Sequence, residues 1–241
     1  MYDTTEKFNG LRTKPRVTVL GIESSCDETA AAVVVNGREI KSNVIASQVP
    51  IHRRFGGVVP EVASRNHTMA VGNVVDEALK SAGVTLSDVD AIAVTYGAGL
   101  VGALLVGVTA AKALSYATGI PLVKVNHIEG HVAANFAAFP ELEPPFLALV
   151  ASGGHTLILD VAGYNDYRCL GSTRDDAIGE AFDKTARLLG LPYPGGPEID
   201  RLAKKGKNNI VFFHDKKSVN DDFSLSYSGL KTAVVNYIHT A

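Results

Sequence analysis

One pattern of strands, turns and a helix runs through this chain twice, and few folds are open to a chain that repeats it. In the first run, residues 17–22 and 30–35 are apolar stretches of strand length, joined by Glu23-Ser-Ser-Cys-Asp-Glu-Thr29. Asn36-Gly37 supplies a hairpin turn into a third strand expected over 40–47. A loop rich in glycine and basic residues follows over 52–59. Residues 60–82 then have helical spacing, with Val62, Met69, Val71, Val74, Val75, Ala78 and Leu79 as the buried side and Gly83 as the stop. After Pro144-Pro145 the order returns: strands over 146–151 and 156–161 around the turn Ser152-Gly-Gly-His155, a third near 167–170, and a helix over 175–189. The repeat predicts an α/β chain of two related lobes, 16–143 and 144–241, behind a loose arm over 1–15, with ligand held in a cleft between the lobes.

Between the two runs the sequence predicts a buried strand over 89–96, a glycine turn over 97–102, a helix of small residues over 103–118 and a strand over 123–126 that leads into His127. The alanine-rich run that follows favours helix, which sets His127 and His131 at i and i+4 on one face. Neutral imidazoles suit divalent zinc or iron, and a catalytic site of that kind keeps further positions for a carboxylate, water or substrate. Two histidines four apart on a helix also occur with no ion between them. In a zinc-peptidase helix the glutamate directly after the first histidine is the general base. Here that slot is Ile128 and the glutamate is Glu129, so the spacing fits a metal pair without fitting a peptidase.

Composition narrows the partners. Of 241 residues, 46% are hydrophobic and 20% charged, which allows a substantial core. No apolar run of membrane-spanning length is expected, and residues 1–16 are polar and mixed in charge, unlike a secretory signal, so the expected protein is cytoplasmic with no membrane partner. Cys26 and Cys169 give neither a disulfide framework nor a Cys-x-x-Cys pair, in keeping with a reducing compartment. A net charge of -2 gives no global argument for nucleic acid. Local basic groups, His52-Arg53-Arg54, Arg65 with His67, and Lys204-Lys205 with Lys207, fit an RNA contact and solvated surface charge equally well.

Singly, the polar turns are ambiguous: Ser152-Gly153-Gly154 fits a plain hairpin as well as a phosphate cradle, and Glu23, Asp27 and Glu28 fit solvated turn acids. In order they are far more specific. Gly21-Ile-Glu-Ser-Ser-Cys-Asp-Glu-Thr29, Gly56-Gly-Val-Val-Pro-Glu-Val-Ala-Ser-Arg65, Gly99-Leu-Val-Gly-Ala-Leu-Leu-Val-Gly107, the His127/His131 pair, Ser152-Gly-Gly-His-Thr156, Asp175-Asp176 with Gly179-Glu-Ala-Phe-Asp-Lys184, Tyr193-Pro-Gly-Gly-Pro197 and Ser228-Gly-Leu-Lys-Thr232 follow one another from residue 21 onward. Together they resemble the universal tRNA threonylcarbamoyladenosine transferase family, TsaD-type, once labelled glycoprotease, and its bacterial and organellar branch in particular.

The resemblance implies a two-lobed actin/Hsp70/sugar-kinase-like (duplicated RNase H-like) fold, with the second lobe incomplete. It implies transfer of a threonylcarbamoyl group from threonylcarbamoyl-AMP to N6 of the adenosine 3′ of the anticodon, in tRNAs reading codons that begin with A. Carried over by position, His127 and His131 would be ligands of one divalent iron or zinc ion. Val150, Ala151, Ser152, Gly153, Gly154, Asp183, Gly196 and Asp200 would line the site for threonylcarbamoyl-AMP or another adenine nucleotide, and Asp27 and Glu28 would be catalytic positioning groups on the first turn. The implied partners are tRNA, a paralogous scaffold subunit and a small ATPase.

The chain departs from the family in two places. It stops soon after Ser228-Gly-Leu-Lys-Thr232, where family members continue into a glycine-rich loop with a nucleotide-holding asparagine and a late aspartate ligand, so weak metal and nucleotide binding and little transfer are expected of these residues alone. Ala98 stands where the family usually has proline, which implies a looser turn. Cys26 reads as a small buried thiol rather than a nucleophile, and His67 and His155 as structural or surface histidines. A kinase or ATPase of the same superfold would hold Mg²⁺ with oxygen ligands rather than imidazoles. The histidine pair and Asp183 speak against a non-catalytic scaffold by design, while truncation would make the chain a non-catalytic fragment or scaffold subunit of the same complex in practice.

Overall fold

The structure, a computed structural model, describes residues 4–207 and 223–240. It divides into two units, Met1–Leu142 and Glu143–Ala241. The first three residues of the expected arm lie outside the described residues. The rest of that arm is not loose. It forms α1 (Thr5–Gly10) and a 3-10 turn (Leu11–Thr13), and it is tied down by Lys7 Nζ, which donates to the Gly119 carbonyl at 2.9 Å, and by an ion pair between Lys14 and Asp90. No apolar period marks the segment, so the sequence gives no sign of these polar ties.

In the first unit β1 (Thr18–Glu23), β2 (Glu28–Val35) and β3 (Glu39–Ser47) form an antiparallel meander. Its hairpin is made by Asn36 and Gly37, both in the left-handed region at φ 52° and 68°, as a tight turn matched to strand twist requires. The expected loop at 52–59 is partly helical: α2 (Val49–His52) runs into a 3-10 turn (Arg53–Phe55), and His52 is fully buried. Val59 N donates to His52 Nδ1 at 3.3 Å, which leaves Nε2 to carry the proton toward Gln48 Oε1, also at 3.3 Å.

α3 (Pro60–Ala82) has the expected bounds, with proline in its first turn and Gly83 left-handed after its last. Met69 contradicts expectation by being 79% exposed. The buried stripe runs through Ala63, His67, Val74 and Ala78, and a residue two places after His67 lies about 200° around the helix from it. Two crossovers then add β4 (Ala91–Gly97), α4 (Val101–Thr118) and β5 (Leu122–Asn126), giving the order β3-β2-β1-β4-β5 with β4 and β5 parallel to β1. Leu20, Ile22, Val33 and Ile92 of the sheet pack with Val74, Val75, Ala78 and Leu79 of α3 and Ala111 of α4 to make the core.

α4 turns Ala103, Gly107, Ala111 and Ser115 inward and leaves Val101, Leu105 and Tyr116 exposed. By length and composition it is apolar enough to cross a membrane, against the expectation of no such run. It contacts α3 and β4. The unit closes with α5 (His127–Ala138).

The second unit repeats the antiparallel meander as β6 (Phe146–Ala151), β7 (Thr156–Gly163) and β8 (Asp166–Ser172), in the order β6-β7-β8. Among the described residues only β7 pairs with β6, and Leu147 and Leu149 are 69% and 67% exposed. α6 (Ile178–Leu188) begins later than expected from the sequence because Asp175 is engaged elsewhere: its carboxylate accepts from Ser226 Oγ, Tyr227 N, Ser228 N and Ser228 Oγ. α7 (Gly195–Ala203) and α8 (Ser228–Thr240) complete the unit; α6 packs against both.

Candidate functional site

Three parallel strands of the first unit end side by side, and their carboxyl ends carry the polar groups. Glu23 ends β1, Thr95 lies near the end of β4, and Asn126 ends β5 directly before His127. The carboxyl ends of parallel strands are the usual ligand side of an open α/β sheet. Asn126 is extended, and its Oδ1 accepts from Ile128 N at 2.8 Å. This side-chain cap starts α5 at His127 itself and places His131 one turn on, over the first histidine. At the far end Arg38 holds the helix, donating from Nη1 to the carbonyls of Phe136, Pro140 and Leu142 at 3.0–3.1 Å.

The two imidazoles meet edge to face with centroids 4.4 Å apart, and their Nε2 atoms are 3.0 Å from each other. Two converging imidazole nitrogens are donors of the kind that divalent iron or zinc accepts, and His127 and His131 are the residues that would hold such an ion. Among the described residues no group of three His, Cys, Asp or Glu side chains is placed to hold an ion.

Behind His127 stands a polar cluster. His127 Nδ1 lies 3.3 Å from Glu23 Oε2 and 3.1 Å from Ser25 Oγ. Glu23 Oε2 also accepts from Thr95 Oγ1 at 2.7 Å, and Oε1 accepts from the Ser25 backbone N–H. Burial raises the Glu23 carboxyl, but hydrogen bonds from His127, Ser25 and Thr95 outweigh it and bring the group down to about 2. The turn that carries Ser25 is fixed from three sides. Ser24 Oγ donates to Ala103 O, Leu100 N donates to Ser25 O at 2.8 Å, and Gly99 approaches so closely that a Cβ there would lie 2.6 Å from Ser25 O. The turn at Ala98 is thus anchored through Gly99 and Leu100.

Of the first-turn acids, Asp27 is half-buried and Glu28, the first residue of β2, is exposed. Glu23, a mere turn acid by sequence, is the one that meets the histidine. Its signal is its place at the end of β1, 104 residues from His127, a proximity that only the fold provides. Cys26 is exposed, against the expectation of a buried thiol. Packing around its sulfur and the neighbouring Asp27 and Glu23 carboxylates nevertheless push the thiol up to about 12.

In the second unit Val150 and Ala151 end β6, and Ser152, Gly153 and Gly154 form the turn into β7. Ser152 N donates to His155 O at 2.8 Å and His155 N to Ser152 Oγ at 3.1 Å. The start of α6 is pressed onto this turn: Gly179 N donates to Ser152 O at 3.1 Å and Ile178 N to Thr156 Oγ1 at 2.8 Å. Those helix N–H groups therefore bind the turn, and the exposed backbones of Gly153 and Gly154 are what it offers outward. Asp183 Oδ1 accepts from Gly195 N at 2.7 Å and so holds α7 by its first turn, where Gly196 lies. Asp200, farther along α7, is exposed and paired with Lys204 at 2.9 Å. Sequence reasoning thus named two groups, and each is assembled within its own unit.

The family model described as TsaD, tRNA N6-adenosine threonylcarbamoyltransferase, matches residues 39–241. The chain is 60% identical over 221 residues to the tRNA N6-adenosine threonylcarbamoyltransferase of Clostridium perfringens (strain SM101 / Type A), covering 92% of this chain and 65% of that one. It is 61% identical over 228 residues to that of Clostridium novyi (strain NT), covering 92% and 66%. The chain therefore spans about 65% of the length of the curated relatives it matches. Among solved structures it is similar to (R)-2-hydroxyglutaryl-CoA dehydratase component A of Acidaminococcus fermentans, with a TM-score of 0.53 and 12% identity over 94% of this chain and 69% of that one. That likeness concerns the fold alone, an α/β fold of the actin/Hsp70/sugar-kinase-like class.

Proposed function

This chain belongs to the tRNA N6-adenosine threonylcarbamoyltransferase family, and from that membership we propose that it serves in transfer of threonylcarbamoyl from threonylcarbamoyl-AMP to N6 of the adenosine 3′ of the anticodon, in tRNAs that read codons beginning with A. The observation that carries the proposal, beside the family match, is the convergence of His127 and His131 Nε2 at 3.0 Å on the ligand side of the sheet.

His127 and His131 would hold one iron or zinc ion. Such an ion, when bound, supplies a Lewis acid for the oxygen on which charge develops as the amine attacks. The chain's own residues do the rest. Glu23, Ser25 and Thr95 keep the His127 ring in place, and Asn126 sets the helix that carries both rings. Gly153 and Gly154 of the turn after β6 are proposed to offer backbone N–H groups to the phosphate of an adenylate. Asp183 orders the start of α7, whose Gly196 and Asp200 are proposed to contact the nucleotide. Asp27 and Glu28 are proposed to position the incoming adenosine. No side-chain nucleophile is needed, and Cys26, held as a thiol, is not one.

The proposed partners are tRNA, a paralogous scaffold subunit and a small ATPase, in the cytoplasm. The exposed Met69 of α3 and Val101, Leu105 and Tyr116 of α4 supply apolar surface for the scaffold subunit. The test compares the chain with a His127→Ala, His131→Ala variant, each given threonylcarbamoyl-AMP, tRNA and the partner proteins. Weakly bound metal and a low level of modified tRNA in the first, and neither in the second, are expected. Equal modification by both would overturn the role of the pair, and bound metal without modification would reduce the proposal to metal binding.

A further inference from the structure

We propose that Glu23 is a positioning residue that fixes the tautomer of His127, keeping the proton on Nδ1 so that the bare Nε2 lone pair faces His131 and any ion the two share. The argument follows the hydrogens around the cluster. Ser25 backbone N–H can only donate, and it donates to Glu23 Oε1. Thr95 Oγ1 donates to Glu23 Oε2 at 2.7 Å. Glu23 Oε2 lies 3.3 Å from His127 Nδ1, and a carboxylate oxygen only accepts. The Ser25 hydroxyl, 3.1 Å from the same nitrogen, can accept as well as donate and so does not oppose a hydrogen there. An imidazole nitrogen facing a carboxylate oxygen carries the hydrogen, and a neutral ring with hydrogen on Nδ1 has none on Nε2.

That arrangement makes the 3.0 Å between the two Nε2 atoms meaningful. With His127 Nε2 bare, the short contact needs a positive centre between the nitrogens, either the proton of His131 Nε2 or a metal ion. A carboxylate behind a ligand histidine fixes its ring and raises its basicity, and loss of such a group typically weakens metal binding by about 10–100-fold. Glu23 suits the task because both of its oxygens are held by groups other than His127. It ends β1, Thr95 comes from β4 and Ser25 from the turn after β1, so the rigid sheet rather than a loop aims the carboxylate.

The metal half of this inference rests on the proposed function above; the tautomer half does not. The test uses the 241-residue chain labelled with 15N-histidine, freed of metal by chelator, with long-range proton–nitrogen spectra recorded near pH 8. The expected result is His127 as the Nδ1–H tautomer in the unsubstituted chain, moving toward Nε2–H in Glu23→Ala and staying put in Glu23→Gln, whose amide oxygen still accepts. Co²⁺ titration followed by its visible absorption should then show binding weakened about 10–100-fold in Glu23→Ala and by less than about tenfold in Glu23→Gln. His127 found as Nε2–H in the unsubstituted chain, or a tautomer unmoved in a folded Glu23→Ala, would overturn the inference. Should Glu23→Ala not fold, the unsubstituted chain and Glu23→Gln decide it. An unsubstituted chain with the expected tautomer and no Co²⁺ binding would overturn the metal half alone.

Discussion

His67 Nε2 lies 2.9 Å from the Cys26 carbonyl oxygen, and His67 Nδ1 lies 2.8 Å from Thr29 Oγ1, so one fully buried side chain of α3 bridges both ends of the turn that carries Asp27 and Glu28. A carbonyl only accepts, so Nε2 bears the hydrogen and Nδ1 accepts from the threonine. Replacing His67 with alanine leaves a cavity and a buried hydroxyl without its partner. We expect His67→Ala to lose about 2–4 kcal/mol of stability, measured by urea unfolding. A loss below about 0.5 kcal/mol would mean that water takes over the bridge.

That bridge shows what the sequence discloses and what it hides. α3 was legible because proline and glycine mark its ends and valines repeat at helical spacing; His67, with no apolar signal, read as structural or surface. Met69 was misplaced because its chemistry suggests burial while its angle on the helix points it out. The histidine pair was legible because it lies within one turn of one helix. Glu23 was not singled out for the site, since its partners come from β4 and α5 and nothing local distinguishes it from Asp27 or Glu28. α7 and α8 went unseen for a different reason: Gly195-Gly-Pro197 opens one with poor helix formers, and the other starts at a tertiary cap supplied by Asp175.

Asp175 gives the next prediction. Hydrogen bonds from Ser226, Tyr227 and Ser228 hold its carboxyl far below the usual carboxylate range. The folded value is depressed, so its contribution is present above the unfolded value near 3.8 and is lost as pH falls through the folded one. Asp175→Ala should weaken the attachment of α8 by about 1 kcal/mol, a figure kept small because the group is in contact with water. Faster proteolysis at 228–240 near pH 7, with the difference from the unsubstituted chain shrinking in strong acid, would bear this out.

Gly179 is the contact between α6 and the Ser152-Gly153-Gly154 turn. A Cβ added there would meet Ser152 O at 2.6 Å and Gly153 N at 2.8 Å, both backbone atoms that cannot swing aside. Gly179→Ala should therefore displace the turn at a cost of about 1–3 kcal/mol and weaken binding of a fluorescent adenine nucleotide. An unchanged melting temperature with unchanged nucleotide affinity would show that the turn and helix are not so tightly set.

Cys26 should be slow toward alkylation although it is exposed. A thiol near 12 holds on the order of a thousandfold less thiolate at pH 8 than an ordinary cysteine, and its higher intrinsic nucleophilicity returns only part of that. We expect iodoacetamide to label Cys26 about 50-fold more slowly in the folded chain than in urea, with Asp27→Asn faster than the unsubstituted protein. Equal rates folded and unfolded would contradict the crowded, acidic surroundings assigned to the sulfur.

The outer strand of the second unit carries a consequence of another kind. β6 bonds only to β7 among the described residues, and Leu147 and Leu149 stand exposed on it at alternate positions. An edge that no other described strand covers, with a leucine row along it, is a template that a further strand can extend.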